Sequence, residues 1–488
     1  MTSRSPRSGT ARPRCSACAR SASAISTPAP RAPPRNSARA ARARRSSRRA
    51  TSTARRLRTA STRWSARKSP GHRPFRRRCC GGRVRHIGAR RQTRSSSALK
   101  AGDGLSPETR WLLDCLRALA GHAPPAGPDD SLDWDRRLEA AEAESLAPAL
   151  AFVWKSAPPG RMPPAVRERL QRHLVEGTAR HLALSGELGR LLKSFEREPV
   201  TVIPLKGPVL AETLYPHPAL RPCSDLDLLI RREDLERVDA LLQRLGYRRV
   251  ADAHSFRFDV AYDHATVYEA ASGVRVDLHW ALLSEPRYSW DEREAETVWD
   301  RAVPVRVAGE EALGLCPEDL VLYLSVHLAV HHSLAGLLWC YDLFLILERW
   351  STTLDWQAVS ARAARWRVRA AVYFALREVE RLFGARAPVT LMRDLRPSGP
   401  RAVALAWLLR HRGSSQRRAA EHLIGLLLVD RGRDLVPTLR RVFLPRPDWL
   451  AARYDGAGAS LIHRYAAHYR RLGRVVGQAA AGLRPARR

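Results

Sequence analysis

Residues 201–229 constrain the fold of this chain more than any other stretch, because they combine a short apolar run, a glycine turn and two closely spaced acids. The apolar run at residues 200–205 is partly β-branched and stops at Lys206-Gly207-Pro208, which predicts a strand that ends in a turn. Residues 209–215 can then form two helical turns. A glycine lets the backbone approach an anion, and a helix N-terminus offers unpaired N–H groups. This order of elements therefore suits phosphate binding, with Lys206 adding a positive charge.

Two aspartates, Asp225 and Asp227, follow on a second apolar run. In a strand, side chains two residues apart share a face, so both carboxylates point the same way while Leu226, Leu228 and Ile230 point into the core. Two carboxylates on one face repel each other unless a cation holds them, and Mg²⁺ takes oxygen ligands of this kind. The pair therefore indicates a site for a hard divalent cation.

A further alternating strand is predicted at residues 274–280, where Arg275, Asp277 and His279 share one face. Asp277 supplies a third carboxylate. Three acidic side chains on adjacent strand ends can hold two metal ions about 3.5–4 Å apart, the arrangement that stabilises attacking and leaving oxygens in phosphoryl-type displacement. Asp277 has an alternative partner in Arg275. His279 is expected to orient Asp277 or to pack as a hydrogen-bonded core residue.

At these positions the chain resembles the uncharacterised bacterial nucleotidyltransferase family of the DNA polymerase beta-like nucleotidyltransferase superfamily. The resemblance runs from about Trp111 to the C-terminal helices. The residues that carry it are Leu205-Lys206-Gly207, the helix ending in Tyr215, Arg221, Ser-Asp-Leu-Asp-Leu-Leu at 224–229, Gly246-Tyr247 and Val-Asp-Leu-His-Trp at 276–280. In that superfamily a Gly-Ser turn precedes an Asp-x-Asp pair, and a third acid lies on a later strand. This chain has Lys-Gly-Pro in place of Gly-Ser and a longer interval before Asp225.

The resemblance implies an enzyme that uses Mg²⁺, with two ions, to move a nucleoside monophosphate from a nucleoside triphosphate to an acceptor hydroxyl and release pyrophosphate. The implied catalytic and metal-binding residues are Asp225, Asp227 and Asp277, the implied phosphate-binding residues are Lys206, Gly207, Arg221 and Ser224, and Arg275 and His279 would support them. Asp277 is placed to act both as a metal ligand and as the base for the acceptor hydroxyl. The alternative is a catalytically inactive nucleotide-binding or regulatory protein on the same fold, which the departure from Gly-Ser favours.

Several other polar residues have two interpretations. Arg221 either braces the triphosphate or pairs with the first aspartate of the Asp-x-Asp pair. His327 and His331 lie one helical turn apart beside His332, but no acid stands at a spacing that would complete a zinc site, so structural or substrate contacts are expected. Asp342 lies in an apolar helix. It either faces the cleft or, as we expect, accepts a buried hydrogen bond from one of these histidines.

The chain has 488 residues and a formal net charge of +36, but this charge is concentrated at the N-terminus. Residues 1–100 contain 27 Arg, 2 Lys and no Asp or Glu, whereas the rest of the chain has 55 basic and 48 acidic residues. Both signs are interspersed in that larger part, so nucleic acid is not expected as a partner. The expected acceptor is a small molecule, a sugar, a peptide or a protein.

Residues 1–100 are rich in Arg, Ser, Ala and Pro and lack apolar periodicity, so they are predicted to form a disordered basic tail. Such a segment can bind nucleic acid or an anionic membrane, act as a targeting peptide, or arise from a start assigned upstream of the real one. We favour the last, because this bias is typical of out-of-frame reading of GC-rich DNA. No Met lies between Met1 and Met162, so the real start would use a non-Met codon, for example at Val84 or Leu99.

Measurement of the intact mass of the native protein tests this interpretation of the basic tail. We expect a chain that begins well after Met1, because the tail has the composition of a misread segment. A mass that corresponds to all 488 residues would contradict it.

The cysteines favour a reducing compartment. Four of the eight lie in residues 1–100, and the other four are scattered without metal-ligand spacing or the pattern of a disulfide framework. No apolar run reaches the length of a membrane span, and the N-terminus lacks the apolar segment of a signal peptide. The protein is therefore predicted to be cytoplasmic.

Periodicity along the chain predicts an α+β fold. A small mixed β-sheet core at residues 200–312 is expected between a helical region at 105–199 and a helical domain at 313–488. Further strands of the core are predicted at 256–262 and 265–270, and a short strand is predicted at 303–307 in the segment that connects the sheet to the later helices. An amphipathic helix is predicted at 231–245.

Overall fold

A computed structural model describes residues 105–122, 133–155, 161–250, 260, 263–283, 297–411, 424–425, 427–454 and 460–482. The predicted basic tail lies outside the described residues, as does nearly all of the strand predicted at 256–262. The described part has a small mixed sheet with helices before and after it in the chain. The predicted α+β class is therefore confirmed.

Four helices precede the sheet in the described part of the chain. They are α1 Pro107–Leu119, α2 Trp134–Ala143, α3 Ala147–Val153 and α4 Pro164–Arg197. Helix α1 begins as its sequence predicts, since the Ser106 side chain accepts a hydrogen bond from the backbone N–H of Thr109 at 3.1 Å and Pro107 is the first helical residue. The long α4 connects two apolar cores, because Leu170 belongs to one and Leu188 to the other.

Five strands form the main sheet. They are β1 Val202–Pro204, β2 Asp225–Ile230, β3 Arg248–Arg249, β4 Ala265–Glu269 and β5 Arg275–His279. Their spatial order is β1-β2-β5-β4-β3, with β2 and β5 parallel and every other neighbouring pair antiparallel. Between these strands lie α5 Lys206–Leu214, a 3-10 turn Pro218–Leu220, a second 3-10 turn Arg232–Asp234 and α6 Leu235–Arg244. A separate hairpin follows, formed by β6 Val303–Val307 and β7 Glu310–Gly314.

The two faces of β2 belong to different cores. Leu226, Leu228 and Ile230 are buried in one core with residues of α4 and α6. Leu229 points the other way and belongs to a core that it shares with Ile203 of β1 and with helices after the sheet. Because side chains alternate along a strand, Asp225 and Asp227 share the face of Leu229. The paired carboxylates therefore point to the side that the later helices cover.

The described residues after the hairpin are mostly helical. The helices are α7 Pro317–Val326, α8 Leu337–Trp350, α9 Trp356–Arg365, α10 Arg369–Phe383, α11 Val389–Leu395, α12 Pro400–His411, α13 Leu435–Phe443, α14 Pro447–Arg453 and α15 Leu461–Gly482, with a 3-10 turn Gly432–Asp434 before α13. Helix α7 does not continue as a regular α-helix, since a π-helical turn His327–His331 follows it directly. Among the described helices, none combines the length and the apolar character that crossing a bilayer requires.

A buried ion pair links the segment between α5 and β2 to helix α8. Arg221 donates from Nε to Asp342 Oδ1 at 2.9 Å and from Nη2 to Oδ2 at 2.8 Å, and Tyr215 donates its hydroxyl to Oδ1 at 2.7 Å. Asp342 is only 1% exposed and Arg221 only 5%. The prediction that Asp342 accepts a hydrogen bond from a histidine is therefore wrong. Arginine offers a full charge and two parallel N–H groups, which bind a carboxylate more strongly than a neutral imidazole does.

Asp342→Ala is expected to destabilise the protein by about 3–5 kcal/mol, because it leaves the Arg221 guanidinium buried without its counter-charge. Tyr215→Phe removes one hydrogen bond to the same carboxylate and should cost about 1 kcal/mol. Urea denaturation of both variants beside the wild type measures the free energies of unfolding. Equal losses in the two variants would contradict a dominant role for the ion pair.

Candidate metal and nucleotide site

The centre of the candidate site is a pair of carboxylates on neighbouring parallel strands. Strands β2 and β5 pair so that Asp227 lies opposite Asp277 and Leu229 lies opposite His279. Residues at matching positions of paired strands point to the same face. One ligand atom from each of Asp227, Asp277 and His279 lies within 4.8 Å of the others, and no other group of three meets that limit in the described part of the chain. The fold thus brings together three side chains that can bind one cation.

Asp225, also predicted as a metal ligand, lies two residues earlier on β2 and opposite Arg275. Burial raises the pKa of the Asp225 carboxyl, and the charge of Asp227 adds to this, while a hydrogen bond from Ser224 opposes it. The compact group of ligand atoms contains His279 and not Asp225. Asp225 thus borders the group and contributes negative charge to it.

The two central carboxylates have opposite pKa shifts. Burial raises the pKa of Asp277 to about 6, and the negative charges of Asp227 and Asp225 add to the effect. Burial would raise the pKa of Asp227 too, but the hydrogen bond to His279 and the charge of Lys206 lower it well below its usual range. Asp227 is therefore firmly ionised, whereas Asp277 loses its proton close to neutral pH. A cation beside both would relieve their repulsion.

His279 is oriented by Asp227. Its Nε2 lies 3.2 Å from Asp227 Oδ1, and because an ionised carboxylate can only accept, Nε2 carries the proton and donates it. Burial lowers the pKa of His279, so the imidazole is neutral at pH 7. Its Nδ1 is buried and has no hydrogen-bond partner among the residues that the structure describes. In this tautomer Nδ1 keeps its lone pair.

Lys206 and Gly207, at the start of α5, lie against the carboxylates. Lys206 Nζ is 2.8 Å from Asp227 Oδ1, and its side chain is 14% exposed. Gly207 has φ +44° and ψ −123°, and a Cβ atom there would lie 3.4 Å from the backbone oxygen of Asp225. A positive φ beside another backbone segment favours glycine. The predicted phosphate-binding turn therefore also supplies a positive charge to the carboxylate group.

Side chains of α7 and the π-helical turn lie beside Lys206. Its Nζ is 5.9 Å from the centre of the Tyr323 ring, and the ring of His327 stacks on that ring at 6.3 Å. The ring of His331 lies 5.2 Å from that of His327. Burial lowers the pKa of His331 to about 4, and Lys206 and His264 contribute to the shift. At pH 7 this wall is therefore aromatic, polar and uncharged.

Tyr323 and His264 are residues that the sequence analysis did not single out. The ring of His264 lies 5.6 Å from that of His279, and its backbone oxygen accepts a hydrogen bond from Trp280 N–H at 3.0 Å. For Tyr323 a signal exists in the sequence, because Tyr323, His327 and His331 follow one another at intervals of four. For His264 no comparable spacing exists.

Two predicted site residues have their charges matched elsewhere. Arg221 is bound to Asp342, and not to Asp225 as one interpretation proposed. Arg275 Nε lies 3.2 Å from Glu269 Oε1 on the neighbouring strand β4. This contact accounts for the Arg275 charge without Asp277, which leaves that carboxylate available to the site.

The site thus consists of clustered carboxylates on a small mixed sheet, beside a glycine turn that carries a lysine. A family model described as uncharacterised nucleotidyltransferase matches residues 130–384, which is more than half of the chain and includes every strand of the main sheet. The protein is therefore a transferase of the nucleotidyltransferase class. It belongs to this uncharacterised nucleotidyltransferase family, as its resemblance predicts. No curated protein matches the chain.

Asp277→Asn is expected to stabilise the metal-free protein at pH 7 by about 1–2 kcal/mol, because a neutral amide avoids the burial of a charge and removes the repulsion from Asp227, while partial exposure reduces the full effect. The pKa of Asp277 is raised from its ordinary value of 3.8 to about 6 in the folded state. The wild type therefore loses stability as the pH rises through that range. The variant has no group that titrates at this position. Thermal unfolding in EDTA across this pH range measures the difference.

A matched control is Asp239→Asn, since Asp239 accepts a hydrogen bond from Tyr268 at 2.6 Å on the opposite face of the sheet. It should show no gain that grows with pH. An Asp277→Asn difference that stays constant across the pH range would contradict the electrostatic origin.

Proposed function

We propose that this protein is a Mg²⁺-dependent nucleotidyltransferase that moves a nucleoside monophosphate from a nucleoside triphosphate to an acceptor hydroxyl and releases pyrophosphate. The observation that carries the proposal is the register of β2 and β5, in which Asp227 lies opposite Asp277 with His279 beside them. The family match supports nucleotidyl transfer as the reaction. The acceptor remains a small molecule, a sugar, a peptide or a protein.

The residues at the centre fit a divalent cation. Asp227 and Asp277 supply oxygen atoms, and His279 lies beside them with a nitrogen that has no hydrogen-bond partner in the described part of the chain. The pKa of Asp277 is raised by burial and by the negative charges of Asp227 and Asp225, and a cation would offset both effects. Asp225 would complete the ligands of a second ion. When bound, such ions would stabilise charge on the transferring phosphoryl group and lower the pKa of the attacking hydroxyl.

Lys206 would change partner during the reaction cycle. Its ammonium group lies 2.8 Å from Asp227 Oδ1, and it stands at the turn where Gly207 lets the backbone approach an anion closely. A bound triphosphate carries more negative charge than one carboxylate and would therefore attract this lysine more strongly. Lys206, Gly207 and Ser224 are the proposed phosphate contacts. Arg221 takes no part in this scheme, because Asp342 holds its guanidinium.

Asp277 is the proposed proton acceptor for the acceptor hydroxyl. In the metal-free protein its pKa is about 6, well above that of Asp227, which makes Asp277 the stronger base of the two. Asp227 is unsuited to that role, since its lowered pKa makes it a weak base. In this scheme Asp227 orients His279 and balances positive charge, while Asp277 accepts the proton.

Asp227→Asn and Asp277→Asn are each expected to lower Mg²⁺-dependent pyrophosphate release by at least about 100-fold, because each removes an ionised oxygen from the metal-binding group. Asp239→Asn, on the opposite face of the sheet, is the control and should keep wild-type activity. The measurement is pyrophosphate release from each of the four common triphosphates in the presence of fractionated lysate as the source of acceptor. Unchanged activity in both site variants would contradict the assignment.

A direct binding measurement separates this function from its alternative, a nucleotide-binding protein without turnover. Titration of the metal-free protein with Mn²⁺, followed by electron paramagnetic resonance, needs no acceptor. We expect wild type to bind and Asp277→Asn to bind at least about tenfold more weakly. Binding of metal and triphosphate without pyrophosphate release would support the alternative. The ion pair between Lys206 and Asp227 favours that alternative, because this pair stabilises the site without a cation.

A further inference from the structure

A basic cavity lies between α14 and α15, outside the residues that the family model matches. It has a volume of about 610 Å³ and is lined by Arg453, Tyr454, Ala467, Arg470, Arg471 and Arg474. The four lining residues of α15 follow one another at the spacing i, i+3, i+4, i+7, which places them on one side of the helix. The side of α15 that borders this cavity therefore carries a row of three arginines.

The arginines of this cavity lack acidic partners among the residues that the structure describes. No carboxylate among the described residues forms an ion pair with Arg453, Arg470, Arg471 or Arg474. The sequence explains this on the C-terminal side, since residues 456–488 contain no Asp or Glu. Four like charges around one cavity repel each other, and an anionic ligand with several charges would relieve that repulsion.

The wall formed by Tyr454 is fixed by hydrogen bonds. His468 Nε2 lies 2.7 Å from the backbone oxygen of Val442, and because a carbonyl only accepts, this nitrogen carries the proton. His468 Nδ1 is then the acceptor for the Tyr454 hydroxyl at 3.0 Å. His468 is buried, and the Trp449 ring packs edge-on against it. An aromatic ring is thus held in place beside several guanidinium groups.

We propose that this cavity binds single-stranded nucleic acid, with Arg470, Arg471 and Arg474 contacting successive phosphates and Tyr454 stacking on a base. Arginines along a groove with an ordered aromatic ring are the combination that binds single strands, whose base faces are free to stack. The cavity is concave and its aromatic wall is fixed, whereas a flat anionic membrane would contact only its rim. The mild net charge of the chain after residue 100 conceals this cluster, because acids elsewhere balance it. The proposal does not depend on the nucleotidyl-transfer reaction.

Fluorescence anisotropy with a labelled single-stranded RNA of about 12 nucleotides tests the proposal on the full chain. The double variant Arg470→Ala, Arg474→Ala is expected to bind at least about tenfold more weakly at physiological salt. The slope of log K against log salt concentration should become shallower by about 1.4, for two lost phosphate contacts. Arg393→Ala with Arg396→Ala removes the same charge from exposed positions near the end of α11 and should leave affinity within about twofold of wild type.

Tyr454 gives a second test that charge does not affect. Tyr454→Ala is expected to weaken binding about tenfold through lost stacking, whereas Tyr454→Phe keeps the ring and should retain most of the affinity. Circular dichroism melting identifies any variant that unfolds. In that event Arg470→Gln with Arg474→Gln replaces the alanine pair.

Photocrosslinking separates this cavity from the Arg-rich residues 1–100, which are identical in all variants. RNA that carries 4-thiouridine is irradiated in complex with the full chain, and the crosslinked peptides are mapped. We expect crosslinks within residues 449–474. Crosslinks confined to residues 1–100, or an arginine double variant that binds RNA like wild type, would overturn the proposal. The proposal would also be overturned if binding to vesicles that contain phosphatidylserine required these arginines while RNA binding did not.

Discussion

The parallel pairing of β2 with β5 is the constraint on which the site depends. Parallel strands in direct register place Asp227 and Asp277 side by side on one face of the sheet, although two carboxylates repel each other. The fold tolerates this arrangement because Lys206 and His279 both contact Asp227. Compensation is uneven, since those contacts favour ionisation of one acid and leave the other with a raised pKa. The chemistry proposed for the site follows from that asymmetry.

A second buried charge pair holds the covering helices against the sheet. Asp342 lies in the middle of the apolar helix α8, and its carboxylate is matched by Arg221 and Tyr215 from the segment that leads into β2. Charged groups this deeply buried are stable only when each has its partner, so the pair fixes how α8 sits relative to that segment. The strand that carries Asp225 and Asp227 begins a few residues later. The ion pair therefore positions the site without touching it.

The features of this site that depend on the alternation of side chains along a strand can be predicted from the sequence. Contacts between residues far apart in the chain cannot. Alternation along β2 and β5 correctly places Leu226, Leu228 and Ile230 in a core opposite the aspartates, because a strand has a period of two. The partner of Asp342 could not be predicted in the same way, since Arg221 is 121 residues away and no local pattern connects them. The π-helical turn after α7 was not predicted either, because its hydrogen bonds span only one residue more than those of an α-helix and its sequence shows no distinguishing signal. The roles of the aspartates and of Lys206 remain proposals.

The strand order β2-β5-β4 has a consequence for how the protein is made. The central strand of the sheet, β5, comes last in the chain, so its two neighbours are synthesised before it. During synthesis on the ribosome, β2 and β4 therefore each lack one strand partner until Arg275–His279 emerges and pairs with both of them. Contacts that close late across many residues form slowly. A nascent chain interrupted before that point would expose two unpaired strand edges. Such edges promote aggregation and are bound by chaperones.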